Sequence, residues 1–214
     1  VQRELFPEFL EMYLGVVKGL KFGHPLAVEN ENDDYPELHF GPLIGAKKAT
    51  ELDTAFKEAV DRGGVPLYEG KITSGTFLAG QDTSAYVAPR TLLEPPKSWS
   101  IHHSEPFGPL DSVVLADSEA EMIAAMNVSN GNLVSSVATD DLGFAERVRE
   151  ESQAFKFGIN TPRSRGDKAE VFGGRGASWR GCFVGGDLLV QSVTEGEGML
   201  FGNFADGSRY PEVA

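Results

Sequence analysis

Between residues 111 and 159, short apolar runs alternate with amphipathic stretches, and this order constrains the fold more than any other feature of the chain. Val113, Val114 and Leu115 read as a buried strand. Ser118 and Glu121 then stand at capping-box spacing, where each side chain can satisfy the other's backbone N–H, ahead of Met122, Ile123 and Met126. Leu133 to Ala138 is the next apolar run, Asp140 and Asp141 can cap a helix containing Phe144 and Val148, and Phe155, Phe157 and Ile159 alternate as in a strand. Strands joined through helices pair in parallel, with right-handed crossovers. Two such units in succession predict an α/β fold with a parallel sheet built from strand-helix-strand units.

The flanking sequence is less regular. Leu5, Phe6, Phe9, Leu10, Tyr13, Val17 and Leu20 recur at helical spacing, Pro7 suits a first turn, and Lys18 and Lys21 suit a last turn before Gly23 and Pro25, which predicts a helix over 5–21. The acidic stretch from Glu29 to Glu37 reads as a solvated loop. Ala49, Leu52, Phe56 and Ala59 mark a second helix stopping at Gly63 and Gly64, followed by an apolar run at Val65 to Tyr68. A further extended run, Tyr86 to Leu93, ends at Pro95 and Pro96. The remainder is glycine-rich from Phe172 to Gly176, apolar from Phe183 to Val193, and then polar.

Composition narrows the function. A chain of 214 residues with 41% hydrophobic residues can bury one sizeable core, as one domain or at most two small ones. A formal net charge of −13 repels phosphate backbones and anionic head groups, which speaks against nucleic-acid and membrane-surface roles. The lone Cys182 excludes an internal disulfide and a Cys-rich zinc site, and with nothing else to mark an oxidising compartment the cytoplasm is the default expectation. No signal peptide and no membrane-spanning run are evident. The first residue is not Met and already leads into a helix, which suggests a fragment boundary.

Glu105-Pro106-Phe107-Gly108-Pro109, just before the strand expected at 113–115, resembles the Glu-x-Phe-Gly-Pro signature of the aldehyde dehydrogenases. Gly23-His24-Pro25 is similar to that family's Gly-x-Pro after its first helix, and Gly41-Pro42-Leu43-Ile44 to its Gly-Pro-Leu/Val-Ile. Asn127 to Leu133 stands where the family has an Asn-containing loop ending in Gly-Leu. Phe157-Gly158-Ile159-Asn160 resembles its Gly-x-x-x-x-Asn strand, and Phe172-Gly173-Gly174 its Phe-Gly-Gly turn. All occur in the family's order, so the resemblance covers residues 1 to about 195, with 196–214 left as a tail and candidate oligomerisation segment. Two departures stand out: Gly131-Asn132 replaces an aromatic-Gly before Leu133, and Gly176-Ala177-Ser178-Trp179 replaces Lys-x-Ser-Gly.

The resemblance implies the C-terminal part of the catalytic region of an NAD(P)-dependent oxidoreductase. Members of the family oxidise an aldehyde by attack of a cysteine thiolate, hydride transfer to the nicotinamide and hydrolysis of a thioester with a glutamate as base. Neither residue has a counterpart in this chain, so no catalytic residue is expected here; nucleophile, general base and cofactor-binding domain are expected upstream, with NAD or NADP as cofactor. Glu105 is expected to contact the nicotinamide-ribose hydroxyls and Phe107 to lie beside the nicotinamide; the bland alternatives are a solvated carboxylate and a core aromatic. A homo-oligomer is the expected assembly.

Other candidates are weaker. Cys182, with His102 or His103 as base, would make a self-contained thiol enzyme, but a thiol between Gly181 and Phe183 reads as a small core residue. The His102-His103 pair has no third ligand at a metal-site spacing, Phe172 to Gly176 reads as a tight turn rather than a phosphate loop, and no metal is expected. The alternative to an enzyme part is a non-catalytic, dehydrogenase-derived interaction or oligomerisation domain.

Overall fold

The structure, a computed structural model, describes residues 1–162 apart from 29, 31 and 130, together with the backbone of 172–173 and 182–183. The chain divides into two compact units, Val1–Ser118 and Glu119–Ala214.

In the first unit, helix α1 (Phe6–Lys18) carries Pro7 in its first turn, where the missing N–H needs no partner. The helix is shorter than the expected 5–21. It is capped at Gly19, and Lys21 is taken by a neighbour instead: its N–H donates to Nδ1 of His39 at 2.9 Å and its carbonyl accepts from the His39 N–H at 2.8 Å. Helix α2 (Ala46–Asp61) buries Ala49, Leu52, Phe56 and Ala59, the four residues expected from spacing. They pack with Val87, Leu92, Trp99 and Leu110 in one core cluster.

Strands β1 (Val65–Glu69), β2 (Arg90–Leu93) and β3 (Leu110–Val113) form a sheet in that order, antiparallel between β1 and β2 and parallel between β2 and β3. Two boundaries differ from the expected ones. The ladder of β2 starts at Arg90 rather than Tyr86; the preceding Pro89 has no N–H to donate, although its carbonyl accepts from Gly70. β3 ends at Val113, so the apolar run 113–115 is not one strand. Glu94 turns into the left-handed region at φ 49 and ends β2; Val114 and Ala116 bond instead with Val1 and Arg3, and the Leu115 N–H donates to the Glu94 carboxylate at 2.7 Å.

In the second unit, α3 (Glu119–Met126) directly follows Ser118, and β4 (Asn132–Val137), α4 (Leu142–Glu151) and β5 (Ala154–Ile159) make a strand-helix-strand unit with β4 and β5 parallel. This is an α/β architecture, with mixed rather than purely parallel pairing. β3 and β4 belong to separate hydrogen-bonded sheets among the described residues. Asp141 caps α4, its carboxylate accepting from the Phe144 N–H at 2.9 Å. Two asparagines tie the ends of this unit: Asn127 bridges Glu151 and Gln153, and Asn160, at φ 54, pairs with both backbone groups of Thr139. Strands β6 (Phe172–Gly173) and β7 (Cys182–Phe183) pair antiparallel. The side chains of Phe172 and Cys182, the apolar run 183–193 and the tail 196–214 lie outside the described residues. No described helix is long and apolar enough to cross a membrane.

Candidate functional site

Residues 105–109 link a single 3₁₀ turn, Ser100–His102, to β3. Their shape follows from Gly108. A Cβ at this position would lie 2.3 Å from Cδ1 of Leu52 in α2 and 3.2 Å from Cδ2 of Leu43, so glycine lets the loop rest on this part of the core without displacing either leucine. Leu43 belongs to Gly41-Pro42-Leu43-Ile44, and its N–H donates to the Ala85 carbonyl at 2.8 Å. Two segments that sequence singled out separately therefore meet at one contact. The third, Gly23-His24-Pro25, has a similar basis: Gly23 has φ 152, and a Cβ there would lie 1.9 Å from the Thr76 carbonyl oxygen.

On this seat, Phe107 takes φ 50 and is 69% exposed. A large aromatic in a left-handed conformation and in water incurs both a steric and a hydration cost. The core alternative for Phe107 does not hold. Glu105 is exposed and borders a cavity of about 160 Å³ whose walls include Lys48, Leu52, Ser104 and Leu110. No hydrogen bond or ion pair joins Glu105 to another described residue, so its carboxylate oxygens face solvent unclaimed.

Both ends of the loop are held. On the upstream side, His102 and His103 donate from Nε2 to the carbonyls of Pro95 and Lys97, at 3.1 and 2.8 Å, which fixes the proton on that nitrogen. They serve the backbone. Among the described residues no three His, Cys, Asp or Glu side chains converge as a metal would require. On the downstream side, the Arg90 N–H donates to the Pro109 carbonyl at 2.9 Å. The Arg90 guanidinium lies over the Phe56 ring, 5.0 Å from its centroid, and donates to Asp53 at 2.8 Å. Hydrogen bonds from Lys57, and then from Arg90, hold the Asp53 carboxyl below the usual carboxylate range.

Tyr13 is the residue that sequence reasoning missed here, since helical spacing marks it only as apolar. Its phenol donates to Oδ2 of Asp111 at 2.8 Å and lies 2.9 Å from Oγ1 of fully buried Thr91. Burial pushes its pKa up to about 12, aided by the Asp111 carboxylate.

A sequence profile described as the aldehyde dehydrogenase family matches residues 1–195. The chain belongs to the aldehyde dehydrogenase family. It is 29% identical over 186 residues to lactaldehyde dehydrogenase of Escherichia coli K12, covering 87% of this chain and 35% of that protein. The glyceraldehyde-3-phosphate dehydrogenase of Methanocaldococcus jannaschii, solved in complex with NADP, matches with a TM-score of 0.67 and 26% identity over 85% of this chain and 36% of that one. The betaine aldehyde dehydrogenase of Staphylococcus aureus, solved in complex with NAD+, shares the fold with a TM-score of 0.68 at 23% identity, over 86% of this chain and 34% of that one. The chain thus spans about a third of the length of these three proteins.

Proposed function

We propose that the chain forms the C-terminal part of the catalytic region of an NAD(P)-dependent aldehyde dehydrogenase, an enzyme that oxidises an aldehyde to a carboxylic acid through a cysteine thioester. The carrying observation is the pairing of an exposed Phe107, held in a left-handed backbone, with an unclaimed Glu105 carboxylate on the same glycine-seated loop. Costly exposure of this kind is expected where a ligand completes the surface. The residues fit a nicotinamide dinucleotide, which supplies the hydride acceptor. The Glu105 carboxylate can accept from two vicinal ribose hydroxyls, and the Phe107 ring can limit the excursions of a flat heterocycle beside it.

In this reading the cysteine nucleophile, the general base and the pyrophosphate-binding segment come from upstream polypeptide, and the 214 residues alone neither oxidise aldehydes nor bind dinucleotide tightly. The working form is a homo-oligomer. A second reading, a non-catalytic interaction module on the same fold, is favoured by one observation: Met12 and Val16, one turn apart on α1, and Leu5, just before its first residue, are all more than half exposed.

The natural coding sequence upstream of Val1 separates the two. A cysteine codon a short distance upstream, with a glutamate and a Gly-rich loop further away, is expected. The protein expressed from that whole frame should then reduce NAD or NADP with an aldehyde. A frame lacking the cysteine, or a full-length product inert across an aldehyde panel with both dinucleotides, would overturn the enzymatic reading.

A further inference from the structure

The hydrogen bonds of Tyr13 have a fixed direction. The Asp111 carboxylate can only accept, so the single phenolic hydrogen goes to it, and Thr91 Oγ1 must be the donor to the phenol oxygen. The result is a directed chain, Thr91 to Tyr13 to Asp111. Thr91 and Asp111 are register partners across the parallel β2–β3 pair. One phenol from α1 therefore bonds the two strands at a single rung. The neighbouring rung is Arg90 with Leu110, where the Arg90 N–H holds the Pro109 carbonyl that closes the Glu105–Pro109 loop. Only one residue separates the Tyr13 anchor at Asp111 from that loop's last residue.

We propose that Tyr13 is a positioning residue for the Glu105–Pro109 loop: its simultaneous bonds to Thr91 and Asp111 lock the start of β3 to α1 and so set where Glu105 and Phe107 stand. The cofactor significance of this brace rests on the reading of the loop given above; the brace itself does not. Tyr13 takes no part as a base, because a phenol is protonated at neutral pH and burial pushes its pKa further up. Its ring stacks on Phe9 with centroids 5.4 Å apart, so Tyr13→Phe retains the packing and removes both hydrogen bonds.

Amide hydrogen exchange on the full chain tests the brace. In Tyr13→Phe, exchange at Arg90, Leu110 and Asp111 should accelerate roughly tenfold or more relative to the α2 amides, the loss expected for a hydrogen bond to a charged acceptor. Thr91→Val should move the same amides in the same direction, and Thr91→Ser, which keeps the hydroxyl, should restore wild-type protection; this pair decides the matter if Tyr13→Phe folds poorly. Unchanged exchange at these amides, or acceleration equal to that across α2, would overturn the proposal. In the full-length protein Tyr13→Phe should raise KM for the dinucleotide several-fold more than KM for the aldehyde. Local acceleration with an unaltered dinucleotide KM would leave the brace in place and remove the cofactor role from the loop.

Discussion

Gly108→Ala tests the physical basis of the loop directly. Gly108 does not lie in the left-handed region, so the substitution carries no backbone strain and its effect isolates a steric one. The added methyl would sit 2.3 Å from Leu52 Cδ1 and 3.2 Å from Leu43 Cδ2, against ordinary carbon contacts of about 3.5–4.0 Å. Leu52 is 4% exposed and is packed in the cluster with Phe56, Trp99 and Leu110, so it has little room to change rotamer. Forcing one methyl into such a core costs about 1–3 kcal/mol. The assay is urea unfolding of wild type, Gly108→Ala, Leu52→Ala and the double variant. Leu52→Ala alone should destabilise by about 2–5 kcal/mol. It also vacates the space that the new methyl needs, so the double variant should be more stable than the sum of the singles by roughly 0.5–3 kcal/mol. Additive effects, within about 0.3–0.5 kcal/mol, would refute the claim that Gly108 is required by contact with Leu52.

Two further outcomes follow from the local chemistry. Asp141→Ala should cost about 0.5–2 kcal/mol by removing the cap on α4, while Asp140→Ala should be nearly neutral, as unfolding midpoints would show. For Tyr13, the folded pKa of about 12 lies above the unfolded value of about 10, so the stability it contributes is complete below pH 10 and is lost as pH rises through 12. Alkaline unfolding of Tyr13→Phe should lack that component, and identical pH profiles from 9 to 12 would contradict it.

What could be read from sequence was what depends on local periodicity. The buried face of α2 and the Asp141 cap each need only a few neighbouring residues, and both stand where expected. Strand limits depend on partners remote in sequence. The apolar run 113–115 is divided because Glu94 ends the neighbouring strand and residues 1–3 take over the pairing, which no pattern inside the run encodes. The same holds for Lys21, which helical spacing puts in a last turn and the structure commits to His39. At the site, the motif placed Glu105, Phe107 and Gly108 correctly as a loop before a strand, and it could not show that Gly108 answers to Leu52 and Leu43. Tyr13 escaped notice because its half-buried position fits helical spacing, while its hydroxyl's partners lie 78 and 98 residues away.

The role of Glu105 is the claim on which the functional account turns, and the most direct measurement is on Glu105→Gln in the full-length protein, by single-turnover kinetics with protiated and deuterated aldehyde. The glutamine keeps shape and one acceptor oxygen but loses charge-assisted bonding to the ribose hydroxyls. A loss of about 1–3 kcal/mol in transition-state stabilisation, roughly one to two orders of magnitude in rate, is expected. Because the dinucleotide would be held less firmly, hydride transfer should slow relative to the other steps, and the primary isotope effect should grow while acylation survives. A wild-type rate with an unchanged isotope effect would make Glu105 an ordinary surface carboxylate and contradict its assignment to the cofactor.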